Sequence, residues 1–280
     1  MTQPFFKRYR LPLVGGGLVV LAVGLVSYFT SVADIRPPLV QRGISAESAA
    51  RGFALLEKMD AAHGGAEAWR AKGAVRFTLD DEWGGPAALA SPWPENPGRL
   101  TLTMLPGRDT GRLEIDGGET WGVQNWATYT VDAEGKVQFD AQRNFDRWFW
   151  VPTVGYFLEA PYRLGEATIV ADAGPDEHDG VMCDRIFLTW GSEKPNREVD
   201  QYVAWIDQKS GRLVHLQYTV RDFAGFISSA MSYSDYRDVD GLPIAHRVGG
   251  DHVMTIQKAE LGLTLPDAFL FPDRTRSAAK

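Results

Sequence analysis

Histidine and cysteine are the residue types in this sequence best suited to catalysis or metal binding. The five histidines, at positions 63, 178, 215, 246 and 252, show no close ligand spacing. His246 and His252 could meet across a hairpin as metal ligands, but Gly249 and Gly250 between them indicate a loose turn. Cys183 lies in a strand-like stretch and is interpreted as a small buried hydrophobic residue. The sequence therefore predicts neither a metal site nor a cofactor.

The motifs of familiar enzymes are absent from the sequence. It contains no G-x-S-x-G, no H-E-x-x-H, no glycine-rich phosphate loop and no G-x-G-x-x-G after a strand. An unfamiliar hydrolytic site would need a polar cluster with displaced pKa values inside a cavity, and His215 or Asp222 would be the place to look for it. The acidic run Asp80–Glu82 is interpreted as solvated loop charge. We predict no catalytic residue, with a hydrolase as a minor alternative.

His63 is better explained as the end of a helix than as a catalytic residue. Ser45 is a suitable N-cap for an amphipathic helix over residues 45–63, in which apolar residues recur at steps of three and four. Gly64 and Gly65 provide the positive φ that ends a helix. His63 would then meet the unpaired carbonyl groups of the last turn.

The period of the sequence changes from helical to two at Ala74. Apolar and polar residues alternate from there on, and Asp-Gly and Glu-Gly turn signals separate the alternating stretches. The connections are too short for crossover helices, so the strands should be antiparallel. We predict about eleven such strands, preceded by one helical turn whose Trp69 covers the edge of the sheet.

One aromatic stretch, residues 140–164, breaks this alternation. Its Phe145, Trp148 and Phe149 have helical spacing. A helical insertion into a strand series needs an apolar surface, and the inner face of a strongly curved sheet provides one. Such a fold leaves a concave cavity for greasy ligands, unless the segments fill the interior completely. The predicted cavity-wall residues are Phe77, Leu79, Leu100, Leu102, Trp148, Trp150, Phe157 and Tyr218.

The N-terminal segment has the composition of a membrane span. Residues 11–33 are uncharged and apolar, and at about 1.5 Å per residue they are long enough to cross a hydrocarbon core of about 30 Å. The basic residues before them should stay in the cytoplasm, so the rest of the chain is translocated. A cleaved signal peptide ending at Ala33 and a buried core helix are the alternatives. The predicted organisation is a cytoplasmic tail (1–10), an anchor (11–33), a linker (34–44), a folded domain (45–273) and a disordered tail (274–280).

Several stretches taken in order resemble exported domains of the LolA/LolB-like superfamily of lipoprotein carriers, which includes RseB-related sensors. They are "AAHGGAEAWRAKGAVRFTL", "RWFWVPTVGYFLEAPYRL", "AWIDQKSGRLVHLQYTV", "SDYRDVDGLPIAHRV" and "AFLFP". The resemblance covers residues 45–273 and implies an α+β fold in which a half-open antiparallel barrel wraps around helices. In that family an arginine latches a helical lid. Arg99 is the only candidate for this lid latch, and it lacks the aromatic neighbours of the family pattern.

Charge and location limit the function classes. The net charge of −7 leaves no basic patch for nucleic acid. We expect a domain on the periplasmic side of a bacterial inner membrane that binds a lipid or an acylated protein. Release into the periplasm after cleavage is the alternative location. A second functional hypothesis is an envelope sensor or scaffold, similar to RseB, that binds a membrane-protein partner.

Overall fold

The computed structural model describes residues 30–273, in which thirteen strands form one open antiparallel sheet. The α+β class and the large antiparallel sheet are confirmed. The predicted count of about eleven strands is too low, because three of the alternating stretches each contain a turn and fold into a hairpin of two strands. The strands are β1 (Ala74–Trp83), β2 (Gly98–Met104), β3 (Gly111–Ile115), β4 (Thr120–Gln124), β5 (Ala127–Val131), β6 (Val137–Phe139), β7 (Ile169–His178), β8 (Val181–Thr189), β9 (Gln201–Asp207), β10 (Leu213–Thr219), β11 (Ser228–Val239), β12 (Leu242–Gly250) and β13 (His252–Leu263).

Six α-helices and two 3-10 turns accompany the sheet in the described part of the chain, and the two longest helices have 17 and 14 residues. The two 3-10 turns cover Gly85–Ala90 and Leu164–Glu166. The α-helices are α1 (Pro38–Gln41), α2 (Ala46–Ala62), α3 (Ala66–Arg70), α4 (Phe145–Leu158), α5 (Ala160–Arg163) and α6 (Asp267–Leu270).

The sheet consists of two meanders joined at its centre. The strand order is β6-β5-β4-β3-β2-β1-β13-β12-β11-β10-β9-β8-β7, so the first and last strands of the chain are central neighbours. The β6–β7 connection, which contains α4, runs from one edge strand to the other. Trp83 on β1 lies opposite His252 on β13 in this central pair. The central pairing brings residues from the two ends of the domain side by side.

The contacts of α4 show that the sheet is curved. This helix packs against β2 to β5, and its Tyr156 lies with its ring centroid 5.8 Å from that of Tyr202 on β9. Nine strand spacings separate β5 from β9, which is about 43 Å in a flat sheet at about 4.8 Å per strand. The helix has 14 residues and is about 21 Å long. The sheet must therefore bend around it.

The predicted N-terminal helix of the domain is present with its predicted cap. The Ser45 hydroxyl accepts from the Ser48 backbone N–H, and the Ser48 hydroxyl accepts from the Ser45 N–H, which together form a capping box. His63 is the C-cap residue and is fully buried. Trp69 does not cover the sheet edge as predicted. Its ring is fully buried in the core, and its Nε1–H donates to the buried carboxylate of Glu159 (2.7 Å).

The segment predicted as a linker, residues 34–44, packs on the face of the sheet opposite to α4. Val40 on α1 is buried there against Phe187 and Val203. No helix between residues 30 and 273 is both long enough and apolar enough to span a membrane. The predicted anchor lies outside the described residues except for its last four positions, and so do the tails 1–10 and 274–280.

Candidate ligand-binding cavity

A cavity of about 450 Å³ lies between α4 and the inner face of the β9–β13 half of the sheet. The 3-10 turn at Gly85–Ala90 and the loop after β10 form its rim. Its walls are mainly aromatic, and its polar groups are mainly carboxylates. The lining residues are Trp83, Ala87, Ala90, Phe149, Trp150, Thr153, Tyr156, Phe157, Asp200, Tyr202, Tyr218, Thr219, Val220, Asp222, Phe223, Ile227, Ser229, Asp251 and His252.

The aromatic walls of the cavity belong to two opposed elements. The rings of Phe157 on α4 and Tyr218 on β10 lie 4.8 Å apart, and Trp150 meets Trp83 edge-on at 5.7 Å. Burial raises the pKa of Tyr218 to about 12, so its hydroxyl stays neutral at physiological pH. These rings present faces and edges to the cavity and suit an apolar ligand.

One end of the cavity has a buried polar cluster centred on Asp81. The carboxylate of Asp81 is fully buried and accepts from Trp83 Nε1 (2.9 Å), Trp93 Nε1 (2.6 Å) and His252 Nδ1 (2.6 Å). The His252 ring stacks on Trp83 at 4.5 Å and lines the cavity. Asp81 thus fixes the orientation of the imidazole, with Nδ1 occupied and Nε2 left for other partners.

The interpretation of Asp81 as solvated loop charge is wrong. Asp81 continues the inward-facing series Val75, Phe77 and Leu79 on β1, and the alternation places it on the buried face of the sheet. A buried carboxylate requires donors, and His252 supplies one of them from 171 residues away. The sequence signal for this polar cluster is that Asp81 occupies the inward-facing position that follows Leu79 on β1.

Three further carboxylates line the cavity, those of Asp200, Asp222 and Asp251. Asp200 accepts from Thr219 Oγ1 (2.8 Å) and from the Arg221 backbone N–H (2.9 Å), and burial raises the pKa of its carboxyl group. Asp251 accepts from the Ser229 hydroxyl (2.7 Å). The lining residues include no lysine or arginine. The cavity therefore has a negative potential.

Exposed apolar side chains surround the mouth of the cavity. Leu89, between two lining residues of the 3-10 turn, is 94% exposed, and Phe223 on the opposite rim is 49% exposed. The ring of Phe223 packs edge-on against Phe145 at 5.3 Å. Large exposed apolar side chains grouped in this way are characteristic of surfaces that meet a membrane or another protein.

The described chain begins beside this mouth. The backbone N–H of Ala33 donates to the carbonyl of Gly225 (2.8 Å), and the guanidinium of Arg221 donates to the carbonyl of Ala33 (2.6 Å). Both partners belong to the loop that carries Phe223. The last residue of the apolar segment 11–33 is therefore held at the rim of the cavity.

The structure divides the predicted wall residues into two groups. Trp150, Phe157 and Tyr218 line the cavity. Trp148 lies elsewhere, under the guanidinium of Arg143. The remaining four predicted wall residues are on β1 and β2 and are fully buried in the core: Phe77, Leu79, Leu100 and Leu102.

The close packing of α4 on β2 explains why those four residues are covered. A Cβ atom on Gly155 would lie 3.0 Å from Met104 Sδ and 3.6 Å from a methyl carbon of Leu102, so the helix rests directly on this strand. Arg99, the candidate lid latch, is also on β2. Its Nε lies 3.2 Å from Asp80 Oδ1, and its side chain is 68% exposed. Ligand contact by the predicted wall residues stays a prediction.

Of the two alternative positions for a hydrolytic site, only one lies in the cavity. Asp222 lines the cavity, whereas His215 points to the opposite face of β10 from Tyr218. His215 stacks on His178 at 4.0 Å and bonds through Nδ1 to the Ser232 hydroxyl (3.0 Å). His246 is buried and bonds to the Ile244 carbonyl (3.0 Å), so it is separate from His252 and the cavity. Between residues 30 and 273, no three potential ligands group as a metal site would require.

Comparison with known proteins identifies the fold. No protein-family model and no curated sequence matches the chain. One similar solved structure is a domain from Vibrio parahaemolyticus named for outer membrane lipoprotein sorting. The alignment covers 80% of this chain and 97% of that domain, with a TM-score of 0.52 and 10% sequence identity. For a DUF1329 family protein from Desulfovibrio piger, the alignment covers 82% of this chain and 98% of that protein, with a TM-score of 0.52 and 13% sequence identity. The fold that the resemblance to LolA-like domains implies is thus confirmed: the described part of the chain shares the architecture of these two solved proteins.

Proposed function

We propose that this protein is an extracytoplasmic domain, tethered to the bacterial inner membrane, that holds a lipid or the acyl chains of a lipidated protein in its cavity. The observation that carries this proposal is the aromatic-walled cavity of about 450 Å³ between α4 and the curved sheet. Trp150, Phe157 and Tyr218 are the proposed contacts for the apolar part of the ligand. The role would be non-catalytic transfer or storage, in lipid or lipoprotein trafficking.

The position of the cavity mouth supports a connection with a membrane. Leu89 and Phe223 expose apolar surface at the rim, and Ala33 is held at the same rim by the loop that carries Phe223. An anchor over residues 11–33 would therefore keep the mouth close to the bilayer. A ligand could then move between the membrane and the cavity with little exposure of its chain to water. Each methylene kept buried during this transfer avoids a free-energy cost of about 0.8 kcal/mol.

Native mass spectrometry of the full chain, extracted from membranes with a mild detergent, tests the proposal. We expect a retained lipid, and displacement of an environment-sensitive alkyl probe by added lipid. Thr153→Trp places an indole in the cavity from the half-buried lining position on α4 and should abolish probe binding. Thr264→Trp makes the same change at an exposed residue outside the lining and should not.

The same variants separate the proposal from the sensor hypothesis. Wild-type protein that carries no lipid and does not bind the probe would contradict a lipid-binding role. Specific co-purification of a membrane protein with wild type and with Thr153→Trp alike would then favour a scaffold that uses its outer surface.

A further inference from the structure

We propose that the cavity selects amphiphiles with a primary ammonium headgroup, and discriminates against fatty acids and other anionic lipids. This inference rests on the proposed function, because it names the class of ligand that the same cavity takes. It is carried by His252 with its buried partner Asp81, by the carboxylates of the rim and by the aromatic walls.

The first step concerns the hydrogen-bonding state of His252. An indole N–H can only donate, so the bonds from Trp83 and Trp93 make Oδ2 of Asp81 an acceptor. Oδ1 accepts from His252 Nδ1 at 2.6 Å. In this tautomer the neutral imidazole has a lone pair on Nε2. His252 is only 8% exposed and lines the cavity, and we therefore assign Nε2 as the acceptor for a ligand group.

The second step concerns charge. Asp200, Asp222 and Asp251 line the cavity, and no lysine or arginine is among the described lining residues. Arg221, the nearest base on the rim loop, directs its guanidinium at the carbonyl oxygens of Ala33 and Gly225. If His252 were protonated, it would balance Asp81, and Arg221 would partly offset Asp200, but Asp222 and Asp251 would still have no base among the lining residues. The potential favours a cation in either protonation state.

The third step concerns the walls. A cation within about 6 Å of an aromatic ring face is attracted by the ring quadrupole. The rings of Trp83, Trp150 and Tyr218 line the same cavity as the carboxylates. An alkyl chain can therefore lie against the rings while its ammonium group meets both ring faces and carboxylates. A primary ammonium also has N–H donors for His252 Nε2, which a quaternary ammonium lacks.

A headgroup series at constant chain length tests the inference. The full chain, held in amphipol, is titrated with twelve-carbon compounds below their micelle concentrations: the primary amine, the trimethylammonium, the alcohol, the carboxylate and the phosphate. We expect the amine to bind at least tenfold more tightly than the carboxylate or phosphate. We also expect it to bind about fivefold more tightly than the trimethylammonium, which corresponds to about 1 kcal/mol for one net hydrogen bond.

Two sets of variants assign these preferences. Asp222→Asn with Asp251→Asn changes only exposed lining residues, and it should reduce the amine-to-carboxylate ratio at least threefold. Asp179→Asn with Asp235→Asn, both exposed and outside the lining, should leave the ratio unchanged. His252→Gln should remove the preference for the primary amine over the trimethylammonium, and a gap that persists in a folded His252→Gln protein would exclude Nε2 as the acceptor.

The outcomes distinguish this inference from the proposed function. If no compound of the series binds, the lipid-binding function itself fails. If all compounds bind with similar affinity, or the anions bind more tightly, the cavity binds lipids but the headgroup inference is overturned. Raised salt should reduce the advantage of the amine over the alcohol, because part of the attraction is between partly solvated charges.

Discussion

The stability of the domain should fall as the pH drops from about 6.5 to about 4, because His63 is buried as a neutral imidazole. Its Nδ1 lies 2.7 Å from the Met59 carbonyl oxygen, which only the N–H form can satisfy. Its ring packs edge-on against Tyr162 and Tyr236, with centroids 6.2 and 5.5 Å away. Burial lowers the pKa of His63 to about 4 in the folded protein.

The size and sign of the effect follow from the difference between the folded and unfolded states. The pKa is about 4 when folded and 6.5 when unfolded. Between these values the unfolded chain binds the proton more readily, so the free energy of unfolding decreases as the pH falls. A difference of about 2.5 units at about 1.4 kcal/mol per unit gives a loss of about 3 kcal/mol, complete near pH 4. Above pH 6.5 this residue contributes no pH dependence.

His63→Asn isolates the contribution of this one residue. Asparagine keeps a donor near the position of Nδ1 but does not titrate. Urea unfolding of both proteins, followed by tryptophan fluorescence between pH 7.5 and 4, gives the difference in the free energy of unfolding at each pH. We expect wild type to be the more stable protein at pH 7.5 and to lose about 3 kcal/mol of that advantage by pH 4. Burial also lowers the pKa of His215 to about 4, but its contribution cancels because both proteins contain it.

A second variant separates titration from general destabilisation. Tyr236→Phe removes the hydroxyl that lies 3.3 Å from His63 Nε2 and donates to the Leu213 carbonyl, while His63 itself is kept. This protein should be less stable than wild type at every pH and should keep the wild-type slope. Parallel curves for wild type and His63→Asn would refute the argument that a buried neutral histidine closes α2.

Three further predictions test the cavity, the helix packing and the mouth. At about 30 Å³ per water-sized group, a cavity of about 450 Å³ holds about 15 chain atoms. The affinity of alkylamines should therefore rise by about 0.8 kcal/mol per methylene and level off near that length, whereas a steady rise beyond it would indicate surface adsorption. Gly52→Ala should destabilise the domain by about 1–2 kcal/mol in thermal unfolding, because the new Cβ would lie 2.7 Å from the backbone of Ala171. The cost of this overpacking exceeds the gain in helix propensity, which is about 1 kcal/mol. A variant more stable than wild type would contradict the close packing at this position. Leu89→Ser, at a 94% exposed rim position outside the lining, should slow the transfer of a fluorescent lipid from vesicles to the protein at least threefold without changing the equilibrium affinity. An unchanged rate would exclude a membrane role for Leu89.

The elements that depend on local signals could be predicted from the sequence. The helix after Ser45 follows from its capping residues and its period, and the strands follow from alternation and turn residues. Pairing between distant strands has no local signal. Trp83 and His252 are neighbours because the last strand returns to the first, and the Asp81–His252 bond depends on that return. The alternation on β1 does identify Asp81 as inward-facing, but interpreting the acidic run as a loop obscured this signal.

Cavity lining was harder to predict than inward orientation. Leu100 and Leu102 face inward, as their alternation indicates, yet they are fully buried instead of lining a cavity. The reason is that α4 covers only part of the concave face. Gly155 allows the helix to approach β2 closely, and a position under the helix cannot be told from an uncovered one by the sequence of the strand alone.

The same asymmetry explains why a cavity exists in a well-packed domain. A helix with its side chains is about 10–12 Å wide, and the sheet that bends around α4 is thirteen strands wide. Because α4 rests directly on β2, the unfilled part of the concave face lies on the other side of the helix, toward β9–β13. That side holds Asp200 and Asp251, whose carboxylates could not be buried in a dry apolar core without counter-charges. The two halves of the inner face thus differ in chemistry as well as in packing: one is an apolar core sealed by the helix, and the other keeps its polar groups beside open space. The cavity therefore has two causes. Gly155 lets α4 pack closely against β2, and the carboxylates on the opposite side of the helix require contact with open space.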